Sequence, residues 1–274
     1  MQEGGNSGRG VGVVSRSPWS FAMRRLFLLL VPLSFGCARI APVPVAAAAD
    51  GGPGTHGNFG DETLTVDKQR RTYRLVVPKS VDLAKPAPLV IAFHGLLIDG
   101  KDVMPKYTKL DDLAADKKFI LAFPEAEGKA WGIDPNKVTK DLAFFDELLK
   151  ALQAKYKIDA DRIYVLGMSN GGYFAHLVGK ERSKTVAAVM SHSGPLGLQT
   201  LLGIKADRKF PVMIVHGDRD VILSVEFARE NRDKYKKEGH EVNYVEIAGL
   251  GHEWATKQKI NEQIWEFFEK HPRK

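Results

Sequence analysis

With 274 residues, 44% of them hydrophobic, the chain is long enough to bury one sizeable core and too apolar for a disordered polymer. Its formal charge of +7 points at first to a polyanion partner, but five arginines and one glutamate fall within residues 1–49. That leaves 35 basic and 32 acidic residues for the remainder, an ordinary surface that excludes a nucleic-acid binder on grounds of charge.

The single cysteine, Cys37, lies in the same leader, so the rest of the chain has no disulfide, thiol nucleophile or cysteine metal site. Met23 is a second possible start. Arg24 and Arg25 precede an apolar stretch from Leu26 to Phe35, and Ala46–Ala49 offers a small-residue cleavage site before Asp50. Residues 1–49 therefore read as an export signal, with RRLFL similar to a twin-arginine signal. LSFGC matches a lipoprotein box poorly because Ser34 stands at its leucine position, so a cleaved signal is preferred to a lipid anchor. The apolar stretch is too short to span a bilayer, and no integral membrane span is expected in the mature chain. Residues 50–60, with GGPGTHGNFG, read as a flexible linker, and residues 61–274 as one folded domain.

Within that domain Thr63–Val66 and Thr72–Val77 alternate like two antiparallel strands. Leu89–Phe93 is a continuous apolar strand, Leu110–Lys117 a short amphipathic helix, Phe119–Phe123 a strand and Asp141–Tyr156 a longer helix. The strand Ile163–Leu166 leads into a helix; then come the strand Val186–Met190, a loop over 194–209, the strand Val212–Val215, the helix Ser224–Glu238, the strand Val242–Ile247 and a last helix to Phe268. Continuous apolar strands alternating with helices predict an α/β fold: a mostly parallel central sheet covered by helices on both faces, with an antiparallel pair at its N-terminal edge. The short interval at 194–209 leaves no room for a large lid.

The stretch IYVLGMSNGGYFAHLV organises the rest. Gly167, Ser169 and Gly171 form GxSxG between a buried strand and a helix, the pattern of a nucleophile elbow. The sharp turn lifts the Ser169 hydroxyl from the sheet, beside a helix N-terminus whose free amides steady negative charge. A serine nucleophile needs an acid and then a base later in the chain. HGDRD puts Asp218 and Asp220 just past a strand end, and GLGHEW puts His252 in a glycine-flanked loop. Either aspartate could serve as the acid. The oxyanion donors expected of such an elbow are the backbone amides of Asn170 and Leu96. His94 and His216, each before a glycine at a strand end, read as loop-fixing hydrogen-bonders, and His176 as structural. His56 and His240 have no ligand-spaced partners, so neither a metal nor another cofactor is expected.

The order PLVIAFHG, FILAFPE, RIYVLGMSNGG, PVMIVHGDRD and GLGHEW resembles the α/β-hydrolase esterases of the polyhydroxybutyrate depolymerase-like and feruloyl esterase-like kind, over roughly residues 70–270. The resemblance implies an α/β-hydrolase catalytic domain at 61–274 and an exported serine esterase acting on hydroxyalkanoate, feruloyl or acetyl esters. It maps the nucleophile to Ser169, the acid to Asp220 rather than Asp218, and the base to His252. Leu96 stands where many relatives carry cysteine, a departure of no consequence for a backbone donor. Trp131 and Trp254 match tryptophans near the substrate cleft, although either could simply be core. A small or oligomeric ester is the expected partner; oligomeric state is open. The alternatives are a serine peptidase of prolyl-oligopeptidase type and a non-catalytic hydrolase-fold binding protein.

Overall fold

Two alternating segments open the domain as a hairpin, β1 (Gly57–Val66) and β2 (Gln69–Val77), joined by Asp67 and Lys68. Both turn residues have positive φ, 48° and 65°, which is what a two-residue turn between right-twisted strands requires. The computed structural model from which these elements are taken describes residues 54–197 and 203–273. The expected export signal lies outside the described residues. Residues 57–60, expected as linker, instead begin β1: Gly57 pairs with Val77 and Phe59 with Leu75. Backbone pairing to a buried partner strand outweighs the glycine-rich composition there.

The chain continues through β3 (Ala87–Phe93), α1 (Val103–Thr108), α2 (Leu110–Lys117), β4 (Ile120–Pro124), α3 (Pro135–Lys155), β5 (Ile158–Met168) and α4 (Asn170–Glu181). It then runs through β6 (Ala188–His192), β7 (Val212–Gly217), α5 (Glu226–Lys237), β8 (Val242–Ile247) and α6 (Ile260–Glu269). The strands form one sheet in the order β1-β2-β4-β3-β5-β6-β7-β8. The β1–β2 and β2–β4 pairs are antiparallel and all the others parallel, as the sequence pattern predicts.

Some departures from the sequence reading have a local cause. Helix α3 begins at Pro135 rather than Asp141, because Asp134 caps it by accepting the Lys137 amide at 3.0 Å and Pro135 needs no amide partner at the first position. Strand β5 begins at Ile158, where its polar, partly exposed half gives no apolar run. Helix α1 contains Pro105 and is too short to show a helical period.

Alternation along the buried strands divides the core in two. Leu89, Ile91 and Phe93 point into one layer with Phe144, Leu148, Phe174 and Tyr235 from α3, α4 and α5. Val90 and Ala92 point into the other, with Leu113 from α2 and Ile264, Trp265 and Phe268 from α6. Tyr164 stacks on Phe268 and Phe119 on Trp265, at centroid distances of 4.6 and 4.7 Å. Each large apolar side chain so buried contributes about 1.5–3 kcal/mol. Because β3 to β8 are parallel, the loops leaving their C-terminal ends gather along one edge. Among the described residues, no helix is long and apolar enough to cross a membrane.

Candidate active site

Strand β5 ends at Met168, and α4 starts at Asn170, so a single residue makes the reversal. Ser169 makes it with φ 56° and ψ −119°. The flanking glycines let the turn close: a Cβ on Gly167 would lie 2.2 Å from the Gly171 carbonyl oxygen, and one on Gly171 would lie 2.1 Å from that of Phe93. The Ser169 amide donates to the His192 carbonyl at 2.8 Å, and the Ser169 carbonyl accepts the Tyr173 amide at 3.0 Å to start the helix. The elbow is thereby stitched to β6 on one side and pressed against the end of β3 on the other.

Strand register sets the rest of the constellation. Met168 pairs with His192, His192 with Val215, and Gly217 with Ile247, so the ends of β5, β6, β7 and β8 lie side by side. From the loops beyond β7 and β8, His252 Nδ1 donates to Asp220 Oδ2 at 2.6 Å. The other carboxylate oxygen accepts the amides of Ile222 and Leu223 at 2.9 and 2.8 Å. Burial alone would raise the Asp220 carboxyl, but the Leu223 amide, His252 and the Ile222 amide together hold it below its ordinary value. Asp218, the other candidate, is exposed and accepts the Gly249 amide at 2.6 Å, bracing the turn before His252. The structure brings Asp220, not Asp218, to the histidine. A hydrogen bond between Ser169 Oγ and His252 is not among the contacts of the described residues.

A second imidazole lies beside the carboxylate. His216 Nε2 lies 3.2 Å from Asp220 Oδ2 and 2.8 Å from the Leu223 carbonyl oxygen. A carbonyl only accepts, so Nε2 carries the hydrogen and donates it to Leu223, with the Asp220 oxygen alongside. His216 thus fixes the loop, as the sequence reading expects, and its place four residues before Asp220 also sets it beside that carboxylate. Behind it His192 is fully buried, and desolvation, helped by the neighbouring His216 and His252, lowers its pKa to about 3. It stays neutral and stacks on Trp254 at 5.1 Å.

On the Ser169 side, the Leu96 and Asn170 amides donate to no acceptor among the described residues, whereas the Leu97 amide is spent on the Lys129 carbonyl at 2.8 Å. His94 Nδ1 donates to the Gly95 carbonyl at 2.8 Å and its Nε2 accepts the Ala126 amide at 3.0 Å. Burial lowers the His94 pKa to about 4, which keeps that acceptor unprotonated. His94 thus fixes the loop, as expected.

Both tryptophans are buried. Trp131 is 2% exposed, stacks on Phe174 at 4.5 Å and donates from Nε1 to the His94 carbonyl at 3.1 Å. Trp254 is 4% exposed; its indole N–H donates to Asn261 Oδ1 at 2.9 Å, and its amide to the Tyr107 hydroxyl at 2.7 Å. Large aromatic surface and a polar edge suit both for holding loops from beneath. Both positions agree with the alternative that the sequence left open, packing in the core.

Residues 129–271, more than half of the chain, match the model of the phospholipase/carboxylesterase family. The chain belongs to that family. Ser169, Asp220 and His252 all fall inside the matched stretch. Feruloyl esterase D of Neurospora crassa is 28% identical over 224 residues, which make up 77% of this chain and 74% of that protein. A bifunctional acetylxylan esterase/xylanase of Neocallimastix patriciarum is 28% identical over 164 residues, 56% of this chain but only 23% of that longer protein. The solved structure of a ferulic acid esterase from the anaerobic fungus Anaeromyces mucronatus superposes with a TM-score of 0.62 at 19% identity, over 79% of this chain and 90% of its own, a likeness of fold.

As a member of the phospholipase/carboxylesterase family the chain is an ester hydrolase. Leu96 and Leu97 after β3, Ile133 after β4, and Val221 and Ile222 beside Asp220 are exposed apolar side chains on loops of the same sheet edge. Among the described residues, no three His, Cys, Asp or Glu side chains are grouped to hold a metal ion.

Proposed function

We propose that the chain is a serine esterase that hydrolyses carboxylic esters through an acyl-enzyme. The observation that carries this reading is the 2.6 Å bond from His252 Nδ1 to Asp220, on the sheet edge where the Ser169 elbow turns. With Nδ1 committed to the carboxylate, Nε2 is the nitrogen left to act as base. It takes the Ser169 proton as Oγ attacks the acyl carbon. The carbonyl π pair moves onto oxygen, where the amides of Asn170 and Leu96 stabilise it. As the tetrahedral adduct collapses, the imidazolium returns the proton to the departing alkoxide, which leaves as an alcohol. Water, deprotonated by the same nitrogen, then releases the acid and restores Ser169. Asp220 holds the imidazole in this tautomer and stabilises its charged form.

The names of the curated relatives and the exposed apolar loops favour esters of feruloyl or acetyl type. Residues 1–49, with Arg24, Arg25, the Leu26–Phe35 stretch and Ala46–Ala49, support export with cleavage before Asp50. Hydrolysis of methyl ferulate and of p-nitrophenyl acetate, butyrate and octanoate tests the reading, with the chain from Asp50 and its Ser169→Ala variant. The variant should lose about 10⁴-fold or more in kcat. A variant as active as the parent sinks the serine mechanism. Intact-mass analysis of protein exported from the full-length chain checks the cleavage site.

A further inference from the structure

The two proposed oxyanion donors sit on different strands' loops, Leu96 after β3 and Asn170 after β5. To serve one oxygen, each must come within about 2.7–3.1 Å of it, so something must fix their separation. The segment Lys129–Gly132 touches both loops. On one side the Lys129 carbonyl accepts the Leu97 amide at 2.8 Å, next to the free Leu96 N–H. On the other, Asn170 Oδ1 accepts the Trp131 amide at 2.7 Å while Asn170 Nδ2 donates to the Trp131 carbonyl at 3.2 Å. One side chain thus pairs with both backbone groups of one residue, as a neighbouring strand would. Only a carboxamide offers a donor and an acceptor in one plane at that length.

From behind, the segment is anchored to the core. The Trp131 indole N–H reaches the His94 carbonyl, and the Gly132 amide donates to Asp141 Oδ2 at 2.8 Å. Asp141 is itself buried and paired with buried Arg71 at 2.9 Å, whose guanidinium lies 4.1 Å from the Phe144 ring centroid. A buried ion pair with a further hydrogen bond resists displacement, because breaking it strands a charge.

Resting on the serine-esterase reading, we infer that Lys129–Gly132 is the spacer of the oxyanion hole and that the Asn170 side chain is a positioning residue for transition-state stabilisation. Asn170 then has two separate duties: its backbone amide touches the oxyanion, and its side chain holds that amide at the right distance from Leu96. Trp131, matched in the sequence to a substrate residue, belongs to this spacer.

The experiment compares the chain from Asp50 with Asn170→Ala, Trp131→Phe and Ser169→Ala, measuring kcat and KM on p-nitrophenyl acetate and the inhibition constant of phenylboronic acid, whose serine adduct mimics the tetrahedral intermediate. Asn170→Ala keeps the backbone amide and loses both side-chain bonds. Its kcat should fall about 10–100-fold, the effect of a small misplacement of a catalytic group, with KM within about twofold and the boronic acid weakened in step. Trp131→Phe keeps the stack on Phe174 and the pairing with Asn170; losing only the indole N–H, it should show the same pattern at about threefold. Circular dichroism and thermal unfolding establish that each variant folds, and if Asn170→Ala does not, the Trp131→Phe comparison decides alone. An unchanged kcat, a change confined to KM, or boronic acid affinity that does not follow kcat overturns the inference. Full activity in Ser169→Ala removes the underlying mechanism instead, whereas an inert Ser169→Ala beside a fully active Asn170→Ala removes the spacer alone.

Discussion

Asp220 reaches His252 through one charged bond of 2.6 Å, and the loop that holds the carboxylate is secured by two amides and a second imidazole. On the other side of the same edge, Ser169 and Asn170 make no hydrogen bond to a charged side chain among the described residues. This side is fixed by backbone torsion, by glycines that bring β3 and α4 into contact, and by a carboxamide paired with a backbone strand. On the serine-esterase reading, the acid–base half is tuned by who donates to whom, and the nucleophile half by where atoms are allowed to be. Substitutions that alter protonation should therefore act mainly on the first, and those that alter shape mainly on the second.

The largest effect that tests this contrast separates the two aspartates. Asp220→Ala should lower kcat about 10⁴-fold on p-nitrophenyl acetate, because His252 loses both orientation and counter-charge. Asp218→Ala removes one brace of the Gly249 turn and should stay within about tenfold of the parent. Equal losses in the two would break the distinction between acid and brace.

A middle-sized effect belongs to stability. His94, His192 and His176 are held neutral by burial, with pKa values of about 4, 3 and 3 against an ordinary 6.5. Below pH 6.5 the unfolded chain binds protons that the folded chain does not, so their contribution is complete above 6.5 and is lost as pH falls towards 4 and then 3. Urea unfolding at pH 7.5 and at pH 5 should differ by about 2 kcal/mol or more in favour of pH 7.5. Identical midpoints would mean that these imidazoles are not kept neutral.

The smallest effect sharpens the acid–base half. His216 Nε2 lies 3.2 Å from the same Asp220 oxygen that receives His252 and donates to the Leu223 carbonyl. Removing it in His216→Phe loosens the loop that carries the carboxylate. The kcat should then fall about threefold, and His216→Gln, which retains a donor, should lose less. An unchanged kcat in His216→Phe would show that the loop holds Asp220 without it.

Much of the site was legible because its constraints are local. GxSxG between an apolar strand and a helix marks a turn whose glycines have no substitute, and continuous apolar runs marked the buried β3, β4, β6 and β7. What escaped depended on partners distant in the chain. Nothing in the neighbourhood of Gly57 announces a partner at Val77, and no feature around Trp131 says that its backbone meets Asn170. A tryptophan in a loop between a strand and a helix reads equally as surface or as core until its neighbours are known. The Asp134-Pro135 pair, by contrast, was a local helix start and was passed over because the first turn of α3 carries a single apolar residue, Val138.

The backbone of Ser169 has a consequence for how this protein could be made more durable. At φ 56° a side chain costs about 1–3 kcal/mol that glycine would not. The residue proposed as nucleophile is thus one the fold tolerates poorly, and a search for thermal resistance that ignores turnover would be drawn to replace it. On the serine-esterase reading, selection for stability alone leads towards an inert scaffold, and only a demand for catalysis would keep the serine in place.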